Sequence, residues 1–362
     1  AFQNGWLTWM YSLVDMAIYP LLLVQYLEYF LPGMTAEQRI GMMLVMIWGA
    51  AAINCLGSLR VGRVSIVSGA FIVAGFLAVS LASLPHLSHV PWAPFAAPGQ
   101  RSLHGLAVGL SIALWNYIGW DNASTVQGEV RHASRSYPKA LAFALPLVTI
   151  GYLLPLVTTL GATDWTQWAD GSWPEIARAA AGPAGRVLAG WIAAAGVVSA
   201  LALFNALLLA YSRIPFVMAA DGWLPRPLAR TNAQGAPQNA IVVSALCYSI
   251  FVLLPFGRLV VADVLLYSLA LFLEFAALIA LRAREPDLRG AFRIPVGRRG
   301  VIALAALPTV ILLFVIGASF RDGEYAMPAL VGSAVAMLLG PVVYRLAQLR
   351  RVTAAGRSSL PS

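Results

Sequence analysis

Carboxylates set in otherwise apolar sequence are the groups best placed to do chemistry in this chain, and four qualify: Asp15, Asp121, Asp263 and Glu274. An ionisable side chain inside a membrane-length helix costs at least ~2.5 kcal/mol on insertion scales, so it faces a cavity or a partner. In WMYSLVDMAIYPLLLVQYL, Tyr11, Asp15 and Tyr19 are spaced i, i+4, i+8, which puts two phenols and a carboxylate on one helical stripe. Such a stripe suits a cation. The alternative is an aspartate hydrogen-bonded to a neighbouring helix with tyrosines packed beside it. Asp263, Tyr267 and Glu274 fall near one face of a later segment. Asp263 stands close to a predicted helix end, where water would solvate it. Glu274 is either a gating or proton-relay group or the structural partner of a loop arginine such as Arg282.

The stretch LWNYIGWDNAS differs in kind. Asn116, Tyr117, Gly119, Trp120, Asp121, Asn122, Ser124 and Thr125 crowd polar, amphipathic and helix-weakening residues into the middle of an apolar segment. Glycine costs about 1 kcal/mol of helix propensity relative to alanine, and Asn and Asp compete for backbone hydrogen bonds. A helix break is expected there. Unwound backbone at membrane depth is tolerated only where it lines a cavity or is buried in protein, so the break marks a binding site.

The elements that must hold these groups are membrane helices. Of 362 residues, 60% are hydrophobic and 11% charged, and the mean hydropathy is +0.77, far more apolar than a soluble domain. Ten apolar spans are expected, at residues 6–30, 40–57, 64–84, 104–126, 140–160, 187–211, 239–255, 259–281, 301–319 and 327–344. Without a barrel pattern they must be helical, so the fold class is all-α. Eighteen of the 24 basic residues fall in alternate loops, which puts that side, and both ends of the given chain, in the cytoplasm. The same bias accounts for the net charge of +9 without nucleic acid. Cys55 and Cys247 lie in apolar spans, and His86, His89, His104 and His132 have no metal-ligand spacing, so no metal site or disulfide framework is expected. His132 alone stands where a membrane enzyme would need a base, but no nucleophile or acid accompanies it.

Three segments carry a family resemblance: LWNYIGWDNASTVQGEVRHASRSYPKAL, SRIPFVMAADGWLPRPLARTNAQGAPQNA and LRAREPDLRGAFRIPVG. They resemble the sixth helix, the loop after the eighth and the loop after the tenth in permeases of the amino acid, polyamine and organocation superfamily. The resemblance covers about residues 6 to 345. Within the superfamily, WMYSLVDMAIYPLLLVQYL, GWDNASTVQGEV and LEFAALIALR most resemble polyamine uptake permeases and members like the L-type amino acid transporters.

The resemblance implies a polytopic five-plus-five inverted-repeat fold of the LeuT type, with about ten helices corresponding to family helices three to twelve. It implies a permease domain over residues 1–345, incomplete at its N-terminus because the first two family helices are absent, and a basic cytoplasmic tail at 346–362. Carried over by position, Trp115 closes over substrate, Asn116, Tyr117, Gly119 and Trp120 line the break, and Asp121 contacts substrate or couples transport. Asp15, with Tyr19 on its stripe, lies at a substrate-contacting position. Ser199 matches a sodium-ligand hydroxyl, and Glu274 is a second coupling or gating candidate.

The expected function is secondary active transport of polyamines or cationic amino acids across the plasma membrane, without a bound cofactor. A proton gradient is favoured over sodium. The partners are a small-molecule substrate and membrane lipid. No disulfide-linked heavy chain is expected, since the outer loop at 31–39 lacks cysteine. The rivals are a general permease or exchanger for neutral amino acids and a truncated, non-transporting family member.

Overall fold

The computed structural model describes residues 2–56, 59–96, 103–119, 130, 132–169, 171–285, 294, 296–319 and 326–358. Among them every regular element is a helix. In chain order these are α1 (Phe2–Leu27), α2 (Ala36–Cys55), α3 (Leu59–Ser83), α4 (Leu103–Tyr117), α5 (Ala133–Ala162) and α6 (Trp173–Ala180). They continue with α7 (Gly185–Tyr211), α8 (Arg213–Ala220), α9 (Gln238–Phe251), α10 (Phe256–Arg284), α11 (Arg298–Ser319) and α12 (Ala326–Ser358), with short 3-10 turns between some of them. Among the described residues seven stretches are long and apolar enough to cross a membrane, and α9 and most of α11 are shorter apolar helices.

Each expected span overlaps a helix, although residues 120–126 of the span at 104–126 lie outside the described residues, and the departures have local causes. α6 and α8 fall in stretches read from sequence as loops. α6 forms on Pro174 at its first turn and buries Pro174, Ile176, Ala177 and Ala180 along one side. α8 continues the apolar run of α7 after Ser212. α12 runs past residue 345 to Ser358; 33 residues span about 50 Å, longer than the ~30 Å hydrocarbon layer. The outward side chains identify the solvent: Phe143 is 73% exposed on α5 and Ile66 76% on α3, among many others. Contiguous apolar surface on this scale belongs in lipid rather than water.

The chain divides into two compact units. The first comprises Ala1–Ala17, Ser102–Ser134 and Ala210–Ser362. Within it α10 packs on α4, α11 and α12. The first turns of α1 are tied to α12 through carbonyls: Gln3 Nε2 donates to Met337 O (2.9 Å) and Trp6 Nε1 to Ala336 O (2.7 Å). Pro341 explains the first of these, because its missing N–H leaves the carbonyl four residues earlier, that of Met337, without its helical donor. Trp223 stacks on Tyr344 (4.9 Å) and Phe2 closes against both rings.

The second unit comprises Ile18–Arg101 and Arg135–Leu209. α2 starts at a capping box, with Thr35 accepting from Gln38 N and the Gln38 side chain accepting from Thr35 N. It is joined to α7 by Asn54 Nδ2, which donates to Asn205 Oδ1 at 2.7 Å. Val79, Ala177, Ala181, Leu188 and Ile192 form an apolar cluster. The ring of Tyr26 lies over Gly196, where a Cβ would come 2.3 Å from Tyr26 Cγ, so that position of α7 admits only glycine without a shift.

Candidate functional site

The first unit holds a polar cluster in its interior, built by α1, the end of α7, α9 and α10. Asp15 projects from the middle of α1 and is 2% exposed. The hydroxyl of Tyr211, the last residue of α7, donates to Asp15 Oδ2 at 3.0 Å. Tyr11, one turn earlier on α1, packs edge-to-face on Tyr211 (5.9 Å, 89°) and on Tyr267 of α10 (5.3 Å, 89°). Tyr248 of α9 is fully buried and feels the charge of Asp15. Ser12, Ser244 and Ser268 add buried hydroxyls; those of Ser12 and Ser268 are turned back onto helix carbonyls (Trp9 O and Val264 O).

Asp263 is the second carboxyl of this interior. It is 0% exposed, and neither of its oxygens has a hydrogen-bond partner among the described residues. This corrects the expectation of a solvated group near a helix end. α10 begins at Phe256 on its Pro255 N-cap rather than at 259, which sets Asp263 two turns inside the helix. Asp15 and Asp263 share this interior closely enough that a charge on one opposes ionisation of the other. Removing one carboxylate from water has an effective cost of several kcal/mol, and two neighbouring ones cannot both be charged without a cation. A carboxylate held by a phenol hydroxyl among aromatic rings is chemically able to pair with an organic cation.

The other sequence-derived candidates distribute as follows. α4 stops at Tyr117, with Ile118 and Gly119 in a turn and Gly119 at φ +96°, a left-handed conformation open to glycine, so the helix ends where the helix-weakening residues begin. Trp115 is half-buried and packs edge-on against Phe256 of α10 (6.1 Å, 81°). Asn116 and Tyr117 are exposed, and the Asn116 amide donates back to Ile112 O (2.9 Å). Trp120 and Asp121 lie outside the described residues. Glu274 is exposed and accepts from Asn4 Nδ2 at 3.0 Å, while Arg282, the alternative partner read from sequence, donates to Ile294 O. Tyr19 and Ser199 are half-buried and belong to the second unit.

The hydrogen bond from a neighbouring helix, weighed from sequence as the structural alternative for Asp15, is therefore present, and it occurs in a cluster that also holds a second acid. Sequence reasoning missed Tyr211, which stands at a span boundary, and Tyr248, whose only signal is its i, i+4 spacing from Ser244 on a short apolar helix. Both cysteines are free thiols, and among the described residues no group of His, Cys, Asp or Glu has the arrangement of a metal site.

The amino acid permease family model matches residues 1–342. The polyamine transporter RMV1 of Arabidopsis thaliana is 30% identical over 366 residues, covering 100% of this chain and 73% of the relative. The polyamine transporter PUT1 of Oryza sativa subsp. japonica is 31% identical over 351 residues, 94% of this chain and 63% of the relative. A further probable polyamine transporter of Arabidopsis thaliana is 29% identical over 364 residues, 99% of this chain and 72% of the relative. With apolar helices throughout, no strand among the described residues and a family match over nearly its whole length, this multi-pass membrane protein belongs to the amino acid permease family.

Proposed function

We propose that this chain carries polyamines or cationic amino acids across the plasma membrane by proton-coupled alternating access, with Asp15 as the ammonium-binding group. The observation that carries this assignment is the pairing of two buried acids, Asp15 and Asp263, in a tyrosine-lined interior with no cation against Asp263 among the described residues. A charge-assisted hydrogen bond between an ammonium and such a carboxylate contributes ~1.5–3 kcal/mol. A neutral amino acid has no net positive charge to offset the repulsion between its own carboxylate and Asp15. The polyamine transporters to which the chain is similar support the same substrate class.

On this assignment Trp115, Asn116 and Tyr117 at the end of α4, together with Gly119, Trp120 and Asp121, bind substrate, and Tyr19 belongs to the Asp15 stripe. Asp121, Glu274 and Ser199 serve coupling or gating. The permease domain of 1–345 follows the five-plus-five inverted repeat, residues 346–362 form a basic tail, and the distribution of arginines supports both ends of the chain in the cytoplasm. Family membership favours one second assignment, exchange of neutral amino acids with Asp121 supporting a loop only.

Uptake of labelled putrescine into liposomes containing the purified chain distinguishes the two. Spermidine and arginine should inhibit at far lower concentration than leucine, and an imposed pH gradient should change the rate. Inhibition by leucine alone would overturn the cation assignment.

A further inference from the structure

α1 and α10 face each other in an antiparallel register that can be read from their contacts. Asn4 Nδ2 meets Glu274 Oε1 at 3.0 Å, and Tyr11 meets Tyr267 at 5.3 Å, so seven residues forward on α1 correspond to seven back on α10. Four residues further along the same register brings Asp15 level with Asp263, in agreement with the opposition of a charge on one to ionisation of the other. The two acids differ in their surroundings. Asp15 receives the Tyr211 hydroxyl, whereas both Asp263 oxygens lie buried without a partner among the described residues.

Among the described residues the titratable groups found around the pair are Tyr11 from α1, Tyr211 from α7, Tyr248 from α9 and Tyr267 from α10 itself. Arg258 lies five residues before Asp263 and so on another face of α10, and Arg299, Arg345 and Arg350 stand toward the ends of α11 and α12. Arg39 with Glu28 is the ion pair found among the described residues, so none of these cations neutralises Asp263. With no cation against Asp263 among the described residues, ionising both acids at once is disfavoured, and the hydrogen-bonded Asp15 is the better placed of the two to hold a charge.

Resting on the polyamine assignment above, we infer that Asp263 carries a proton which the site gives up when the second ammonium group of a diamine enters. The first ammonium neutralises Asp15. The second lies against Asp263, whose O–H bond breaks, the proton passing to water and the ammonium replacing it as the balancing charge. A monoamine neutralises Asp15 alone and leaves the proton where it is. One pair of side chains thus distinguishes di- and polyamines from monocations by proton stoichiometry, and exchange of a proton for a charge follows from the same step.

The test is calorimetric titration of the purified chain in buffers of different ionisation enthalpy, which counts protons released on binding. Wild type should release about one proton per putrescine and none with propylamine, and its apparent affinity for putrescine should rise about tenfold per pH unit while Asp263 is protonated. Asp263→Asn should bind propylamine as wild type does, release no proton with either ligand and lose the pH slope for putrescine. Asp263→Glu should keep the one-proton release, and it decides the matter if the Asn variant does not fold. Putrescine binding to wild type without proton release, or a proton still released by the Asn variant, would overturn the inference. Failure of wild type to bind either amine would instead overturn the polyamine assignment.

Discussion

Replacing Tyr211 by phenylalanine removes one oxygen and leaves the ring, so the edge-to-face contact with Tyr11 at 5.9 Å persists and the packing around it is unchanged. What disappears is the 3.0 Å hydrogen bond to Asp15, whose carboxyl is 2% exposed and has little water to turn to. A bond of this kind to a charged group contributes ~1.5–3 kcal/mol, against about 0.5–1.5 kcal/mol for one to a neutral group. Tyr211→Phe should therefore lower stability by ~1.5–3 kcal/mol if Asp15 is ionised. The clean measurement is a double-mutant cycle with Asp15→Asn, using denaturant unfolding in detergent micelles. The Tyr211→Phe cost should fall to about 1 kcal/mol or less once Asp15 is neutral, so the coupling energy reads out the charge on Asp15 directly. Strict additivity of the two substitutions would refute an ionised, hydrogen-bonded Asp15.

Two further expectations concern the rest of the molecule. Gly196→Ala would set a methyl 2.3 Å from the Tyr26 ring, so it should destabilise the chain by about 1–3 kcal/mol in thermal unfolding, and combining it with Tyr26→Ala should recover part of the loss. Outside the membrane helices, Asp164 accepts from the Thr166 hydroxyl (2.7 Å) and backbone N–H (3.0 Å), which hold its carboxyl below the usual carboxylate range. That stabilisation is present above the unfolded carboxylate pKa and is lost as pH falls through the lower folded value, so any difference in unfolding between wild type and Thr166→Val should appear at neutral pH and vanish in acid.

Hydrophobic run lengths located the helices because bilayer thickness dictates the length of a membrane span, and the end of α4 at Tyr117 was legible because glycine, asparagine and aspartate weaken helices locally. The site was legible only in part. The stripe of Tyr11 and Asp15 is a property of one helix, and periodicity finds it. Tyr211 and Asp263 reach the same interior from two other helices, and no spacing within a single segment encodes which helices become neighbours. Asp263 was further disguised by its distance from a misplaced helix start: Pro255 caps α10, and three extra residues turn an apparent surface acid into a buried one. The short α6 and α8 were hidden for a related reason, since eight residues supply too little periodicity to stand out beside loop sequence.

Binding of putrescine to the purified chain and to Asp15→Asn, measured side by side at one pH, addresses the cation site most directly. Loss of the ~1.5–3 kcal/mol charge-assisted bond should weaken binding by about 10- to 150-fold while the Asn variant remains folded, its amide oxygen still accepting from Tyr211. Equal affinity in the two proteins would contradict a role for Asp15 in holding the substrate's ammonium group.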